Sequence, residues 1–252
     1  MKIYKHLIVA LAVCFAGDAA AQEVPFFDTS KPDRILTFGI RAGLNSSGVS
    51  TNYMSIQPEL IQSNFYWRSG GQAGGVVDLH IRNFFAIQVG CFWENRSYDC
   101  TLMAAAAEED YMGSLYTHAR FNYVNLPVLL SFRFNLLPQA VWQVDAGCYY
   151  AYGISGKKEM DSYIAFGESE GQLVFDHALS SPSYFGADPK EFLAVNRADF
   201  GLKLGTGLTF FDRYVVGVYY QRSIKNVAKN YEGGPDYHLR NCSWSVNIGY
   251  NF

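Results

Sequence analysis

The sequence has few charged side chains and, beyond its first residues, no long uninterrupted apolar run. No later stretch reaches the ~18 consecutive apolar residues that indicate a membrane-spanning helix. Charged residues make up 17% of the chain, and no Lys/Arg-rich run stands among its 20 basic and 23 acidic residues. A helical membrane protein is therefore disfavoured, and the charge pattern predicts no nucleic-acid partner.

The first residues carry the pattern of a secretory signal peptide. Lys2 and Lys5 precede an apolar run at 7–16, and small residues at 19–21 stand before Gln22. We predict a signal peptide at 1–21 and one exported barrel domain at 22–252, because no linker, repeat or charge block divides the remainder. A lipoprotein cleaved before Cys14 is the alternative, although Val13 is bulky for such a site.

Apolar and polar side chains alternate through eight segments of the chain. Aromatic residues make up 16% of the sequence, and such rings favour strands. The period of two predicts two-faced β-strands long enough to cross a membrane. The segments are 36–45, 72–79, 85–94, 123–134, 142–153, 197–210, 214–221 and 243–252. Pro127 lacks a backbone donor, so a bulge or a locally open edge is expected in the fourth segment.

The connections between these segments alternate in length. Those after the second, fourth and sixth segments are short, whereas the others cover 46–71, 95–120, 154–196 and 224–241, with a helical turn expected at 104–110. Short periplasmic turns and long external loops are typical of outer-membrane barrels. We therefore predict an all-β fold, an eight-stranded antiparallel transmembrane β-barrel in the bacterial outer membrane.

The polar face of the segments is unusually small for a sheet that meets water. A solvated face would more often carry Lys, Glu and Thr, whereas a narrow barrel interior needs small residues. Rings near the strand ends fit the aromatic girdles of a membrane barrel. A soluble periplasmic lipocalin-like binding protein, with the apolar face as its core, is the alternative. The glycines of the polar face are at positions 39, 43, 74, 90, 147, 201, 205, 207, 217 and 249.

Charged residues on the polar face would point into the lumen. The functional interpretation is a proton or ion path, and the structural one is a plug of salt bridges. We favour the plug, because eight-stranded barrels are filled by side chains. A structural or interaction role is therefore the first hypothesis and a narrow channel the second. The lumen charges are Arg41, Asp78, Glu94, Arg133, Asp145, Asp199 and Lys203.

Four cysteines follow the predicted signal peptide. Cys91, Cys148 and Cys242 fall on the outward face of strands, and Cys100 falls in a predicted loop. The outward thiols act most simply as small apolar residues. A Cys100–Cys242 disulfide is conceivable, since an exported protein permits one.

Motifs of catalysis and metal binding are missing. There is no HExxH, no paired CxxC, no Walker loop and no nucleophile elbow. His118 and His238 approach the outer rim, where membrane-embedded barrel hydrolases place a histidine, but without a recognisable partner pattern. We therefore predict no enzyme activity, no catalytic residue, no metal and no cofactor.

Several segments resemble the PorT-like outer-membrane β-barrel proteins. They are GIRAGLN at 39–45, QPEL at 57–60, YVNLPVLL at 123–130 and DAG at 145–147. The resemblance covers nearly all of the chain after the predicted signal peptide and implies an outer-membrane barrel. The namesake of the family works in protein secretion across the outer membrane, so envelope or secretion-complex proteins are expected partners. Outer-membrane lipid is another, and the last strand, ending at Phe252, resembles the signal read by the outer-membrane assembly machinery.

Overall fold

The computed structural model describes residues 24–52, 60–106, 111–166, 174–179, 185 and 194–252. The predicted signal peptide and residues 57–59 lie outside these ranges. Within them, no helix is long and apolar enough to cross a membrane. The described strands are β1 (Leu36–Thr51), β2 (Leu60–Arg82), β3 (Phe85–Ala106), β4 (Tyr111–Leu137), β5 (Ala140–Phe166), β6 (Val174–Leu179), β7 (Ala198–Phe210), β8 (Tyr214–Ser223) and β9 (Leu239–Asn251).

Eight of these strands close into a ring. Its order is β1, β2, β3, β4, β5, β7, β8 and β9, and β9 pairs again with β1. Every neighbouring pair is antiparallel. The remaining strand, β6, lies outside the ring and pairs with residues 159–164 of β5. The predicted eight-stranded antiparallel barrel is thus confirmed, and β6 is an additional strand that the alternation did not indicate.

Four consecutive strands run far beyond the length that crosses a membrane. β2, β3, β4 and β5 hold 23, 22, 27 and 27 residues, whereas about 10 residues span a bilayer when the strand is tilted. Much of the predicted loops 46–71, 95–120 and 154–196 is therefore strand. The helical turn expected at 104–110 is also wrong in its described part, because residues 104–106 belong to β3. We call the residues of β2–β5 that fall within these predicted loops, together with β6, the extension.

The two ends of the barrel differ in their connections. At the turn end, tight turns at 83–84, 138–139 and 211–213 join the strands, whereas the long described connection 224–238, between β8 and β9, lies at the opposite end, the loop end. Phe211 and Asp212 have φ angles of 53° and 58°. Two consecutive positive φ angles match the type I′ turn, whose twist suits a tight β-hairpin. Short turns thus keep the paired strands in register at this end.

The segment before β1 packs across the turn end. Asn83 Nδ2 donates to Asp28 Oδ2 at 2.8 Å, and the backbone N–H of Ser30 donates to Asp28 Oδ1 at 2.9 Å. The ring of Phe26 stacks on Phe134, with centroids 5.2 Å apart. Hydrogen bonds from Ser30 and then Asn83 lower the pKa of Asp28, because they favour its charged form.

Pairing between β3 and β4 is interrupted beside Pro127. Val89 pairs with Val128 and Phe92 with Asn125, with no pair between them and no change of register. Proline cannot donate to the ladder, so β4 loses a hydrogen bond towards β3 here. The ladder is locally open at Pro127 and carries no bulge there.

The barrel wall is apolar outside and polar inside. Leu44, Leu204 and Ile248 are 74%, 54% and 65% exposed on the outer surface. Asn125 and Ser131, by contrast, are completely buried in the interior. A soluble barrel would have the reverse distribution, because exposed apolar surface of this extent is unfavourable in water. The outer wall therefore meets lipid, and the lipocalin-like alternative does not fit.

Candidate functional site: the filled barrel interior

A buried ion cluster fills the middle of the barrel. Arg96 Nη1 lies 2.7 Å from Asp199 Oδ2, and Arg96 Nη2 lies 2.9 Å from Glu94 Oε2. The arginine side chain is 4% exposed and both carboxylates are fully buried. A single guanidinium thus bridges two carboxylates away from solvent. We call Glu94, Arg96 and Asp199 the central cluster.

Neutral donors surround both carboxylates of the central cluster. Asn125 Nδ2 and Gln221 Nε2 donate to Glu94 at 2.8 and 2.6 Å. Ser223 Oγ donates to Asp199 Oδ1 at 2.7 Å. Buried charges are tolerated when their remaining lone pairs are hydrogen-bonded in this way. The donors come from two further strands, β4 and β8, so the cluster ties together separate parts of the wall.

Aromatic rings separate the central cluster from the loop end. The guanidinium carbon of Arg96 lies 4.7 Å from the ring centroid of Tyr123 and 5.3 Å from that of Tyr149. Such cation–π contacts stabilise a desolvated cation. The two rings belong to a larger buried group, which we call the apolar cluster. Its members are Tyr98, Cys100, Leu102, Ala119, Phe121, Tyr123, Tyr149, Ala151, Phe185, Val195, Val227 and Leu239.

A second ion pair lies towards the turn end. Arg133 Nη2 is 2.8 Å from Asp78 Oδ2, and Gln88 Nε2 donates to Asp78 Oδ1 at 2.8 Å. His80 Nδ1 lies 3.1 Å from Arg133 Nη1, and its Nε2 lies 3.1 Å from Thr37 Oγ1. Asp78 is 1% exposed. The pair therefore closes the interior on the side where the tight turns stand.

Lys203 and Asp145 lie beside one tyrosine between these two layers. The Lys203 Nζ is 5.3 Å from the ring centroid of Tyr219 and 5.4 Å from that of Phe92. The Tyr219 hydroxyl donates to Asp145 Oδ2 at 2.9 Å, as does Gln143 Nε2. Lys203 is 4% and Asp145 1% exposed. Rings thus hold the ammonium group, while neutral donors hold the carboxylate.

Arg41 completes the set of predicted lumen charges. Its Nη2 donates to Asn251 Oδ1 at 2.7 Å, and the residue is 7% exposed. Arg41, Gln88, Lys203 and Asn247 line a small interior cavity of about 10 Å³. A cavity of this size holds about one water molecule. The interior is therefore packed with side chains around the seven lumen charges.

Arg96 is the central residue that the sequence pattern missed. The predicted third strand ends at Glu94, yet β3 continues to Ala106. Residues two apart on a strand share a face, so Arg96 follows Glu94 into the interior. The intervening positions Asn95 and Ser97 are polar, which removed the contrast between the two faces. Continuing the inward phase by one step would have found the arginine.

The described cysteines are all free. Cys100 belongs to β3 rather than to a loop, and it lies fully buried in the apolar cluster. Cys242 belongs to β9, and its Sγ donates to the backbone oxygen of Gly48. Two strands, β1 and β2, stand between β9 and β3 in the ring. The Cys100–Cys242 disulfide that the sequence left open is therefore not formed.

His118 has a partner in the extension that the sequence did not reveal. Its Nδ1 lies 2.5 Å from Asp99 Oδ1, and Arg68 Nε and the Tyr116 hydroxyl each lie 2.9 Å from Asp99 Oδ2. The other ring nitrogen of His118, Nε2, lies 3.4 Å from Arg120 Nη2. Partial burial and the hydrogen bond to Asp99 raise the pKa of Tyr116. Both ring nitrogens thus face charged groups, and the arrangement is an ion network on the wall of the extension.

Metal ligands do not gather in the described ranges. There, no three His, Cys, Asp or Glu side chains are placed to hold a metal ion. The ionisable groups described above instead contact one another, amides, hydroxyls or aromatic rings. The interior is therefore organised as a network of protein groups.

Comparison with known families agrees with the barrel fold described above. Residues 20–229 match the family model of the outer membrane protein beta-barrel domain. The chain belongs to this family. Its fold and family indicate the bacterial outer membrane, with the apolar wall of the barrel in lipid. No curated protein matches the sequence.

Solved outer-membrane barrels are similar to the chain at low sequence identity. OprG from Pseudomonas aeruginosa has 12% identity and a TM-score of 0.45, with 91% of this chain and 99% of that one covered. Ail, the attachment invasion locus protein of Yersinia pestis, has 12% identity and a TM-score of 0.36, with 87% and 100% covered. Neisserial surface protein A has 11% identity and a TM-score of 0.33, with 85% and 97% covered.

Proposed function

We propose that this outer-membrane barrel does not conduct solutes and serves as a structural and interaction protein of the cell envelope. The observation that carries the proposal is the filled interior. The Asp78–Arg133 pair, the central cluster and the apolar cluster follow one another from the turn end to the loop end. Because each layer is buried and bonded, a solute would have to break several buried interactions to pass.

The extension supports an interaction role. We assign the turn end to the periplasm and the loop end to the outside, as in other barrels with short periplasmic turns. The extension then stands at the cell surface as a paired sheet, and Tyr66 on β2 is 51% exposed there. Exposed tyrosines are frequent contact residues in protein interfaces. A hydrogen-bonded sheet also presents such side chains with little loss of conformational entropy.

Planar-bilayer recordings of the full-length protein test the closed interior. We expect no unitary currents from the wild type over a wide voltage range. A Glu94→Ala/Arg96→Ala/Tyr123→Ala variant removes side chains from both the central cluster and the apolar cluster, and it should conduct. Faster migration of the unboiled variant on a detergent gel would establish that it folds. Wild-type currents that change in Arg133→Gln or Asp145→Asn would instead establish the narrow channel.

Photo-crosslinking in cells tests the interaction role. A photoreactive phenylalanine at Tyr66 should give a discrete crosslinked protein band. The matched control replaces Tyr214, which is 57% exposed near the turn end and should crosslink to lipid alone. The interaction role is wrong if Tyr66 yields no protein adduct while the variant remains folded in the outer membrane.

We also propose that the protein is linked to protein secretion and that its first residues are an export signal. The PorT-like segments support a link to protein secretion, and loss of exported proteins from the medium after deletion of the gene would test it. Residues 1–21 would be removed during export, leaving 22–252 as the mature barrel domain. The mass of the purified protein measures this directly, since a mature chain should begin at Gln22.

A further inference from the structure

The outer wall of three neighbouring strands changes from apolar to polar along one row. On β1 the outward side chains are apolar from Leu36 to Leu44, and Ser46 is the next outward residue. Ser46 pairs with Trp244 of β9, which pairs with Tyr220 of β8. The two rings lie 4.7 Å apart. Trp and Tyr mark the boundary between hydrocarbon and headgroups, so this row lies at that boundary.

Two arginines stand immediately beyond the row, towards the loop end. Arg222 is the next outward residue after Tyr220 on β8, and Arg240 precedes Trp244 by two outward positions on β9. Both side chains are exposed. Within the described part of the chain, neither guanidinium lies within ion-pair distance of a carboxylate. Two cations without an ion-pair partner among the described residues therefore stand at headgroup height.

A groove of about 430 Å³ opens beside Arg222. Trp67 of β2, Tyr220 and Cys242 contribute to its lining. The Trp67 ring lies directly over Gly48, where a Cβ would approach the ring to 2.9 Å. The absence of a side chain at Gly48 thus lets the indole lie flat against β1. The groove combines aromatic walls with a guanidinium at its edge.

We propose that this groove, with Arg222 and Arg240, binds the phosphate-bearing headgroup of a lipid in the outer leaflet. Guanidinium groups bind phosphate oxygens through paired, charge-assisted hydrogen bonds. Basic residues at this height are also attracted to anionic headgroups. The assignment rests on the proposed orientation, in which the loop end faces outside.

The wall on the turn-end side of the groove favours a lipid over a soluble anion. Val218 and Val246 pair with each other one step closer to the turn end and are 40% and 54% exposed. Acyl chains attached to a headgroup in the groove would lie along this apolar surface. A soluble phosphate compound would gain the contacts with arginine but none with these valines. The occupant therefore carries both phosphate and hydrocarbon.

A binding titration in neutral detergent tests the assignment. The full-length protein would be titrated with bisphosphorylated lipid A, its dephosphorylated form, or inorganic pyrophosphate, and bound lipid counted by native mass spectrometry. We expect bisphosphorylated lipid A to bind most tightly. Arg222→Gln/Arg240→Gln should weaken this binding about 25-fold, since each basic residue near a membrane contributes about a fivefold effect.

A matched variant separates a site from general charge attraction. Arg82→Gln/Arg213→Gln removes two exposed positive charges at the turn end and should bind lipid A like the wild type. Equal losses in the two double variants, or equal binding of the dephosphorylated lipid, would overturn the site. Pyrophosphate binding as tight as that of lipid A would overturn the lipid assignment. These readouts are independent of the conductance that tests the closed interior.

The indole wall provides a second variant that leaves the charges in place. Trp67→Leu should weaken lipid A binding about 3- to 10-fold through lost stacking and packing in the groove. Unchanged binding in this variant, with the loss in the arginine variant retained, would contradict a role for the groove.

Discussion

Removing the guanidinium of Arg96 should destabilise the barrel more than any single change of a surface charge. Arg96→Met keeps much of the side-chain volume but leaves Glu94 and Asp199 buried without their cation. Removing one partner of a buried ion pair costs about 3–5 kcal/mol, because the remaining charge is desolvated without compensation. Here a single change leaves two such carboxylates, so we expect the upper part of that range.

Urea unfolding in lipid vesicles measures this loss, with the fraction of protein that migrates faster before boiling as the readout. A loss of about 5 kcal/mol should lower the urea midpoint by about 2.5 M for an m-value near 2 kcal/mol/M. Arg82→Gln, at the exposed turn end, is the control and should change stability by less than about 0.5 kcal/mol.

Neutralising the two carboxylates distinguishes the loss of charge pairing from the loss of packing. Adding Glu94→Gln and Asp199→Asn to Arg96→Met removes the unpaired charges and should recover much of the lost stability. A cost below about 1 kcal/mol for Arg96→Met alone would refute a buried, bonded central cluster. So would a triple variant that is less stable than the single one, because the loss would then not come from uncompensated charge.

Two further predictions concern close packing and the side of the wall that each thiol occupies. At Gly147 a Cβ would lie 2.1 Å from the Val128 carbonyl oxygen, so Gly147→Ala should lower the free energy of unfolding in urea by about 1–3 kcal/mol. Gly71→Ala is the control and should be nearly neutral, because the nearest neighbour of a Cβ there is 3.9 Å away. Equal effects of the two changes would contradict the packing. Cys91 is exposed on the lipid-facing wall and Cys100 is buried, so a membrane-soluble maleimide should label the first in the folded barrel and the second only after unfolding. Labelling of Cys100 before unfolding would show that the apolar cluster is open.

The parts of the fold that alternation predicted are those in which one face meets lipid and the other the interior. In β7, for example, Leu202 and Leu204 are more than half exposed, while Lys203 between them is buried. That contrast gives a strong period of two. In the extension the contrast disappears, because outward positions such as Asp99 and His118 carry polar networks. The alternation therefore predicts loops where the structure has strands.

The residues of the candidate site divide in the same way, into those that local alternation predicts and those that it does not. The phase of each strand places seven charges on the polar face; in the structure six of these side chains are buried inside the ring, and that of Arg133 is partly exposed. Their partners could not be found in this way, since Arg96 and Asp199 are 103 positions apart. The same limit applied to Cys100 and Cys242, whose separation depends on the strands between them. Contacts of this kind depend on closure of the ring.

The sequence by itself determined the class of fold, the strands that cross the membrane and the face that the residues of those segments present. These properties are local, because a period of two and the solvent on each side decide them. Only the tertiary structure decided which carboxylates share Arg96, that Trp67 covers Gly48, and that Arg222 stands beside the groove with no ion-pair partner among the described residues. Those relations depend on register and on the strand order of the closed ring, which bring together residues that no local pattern connects.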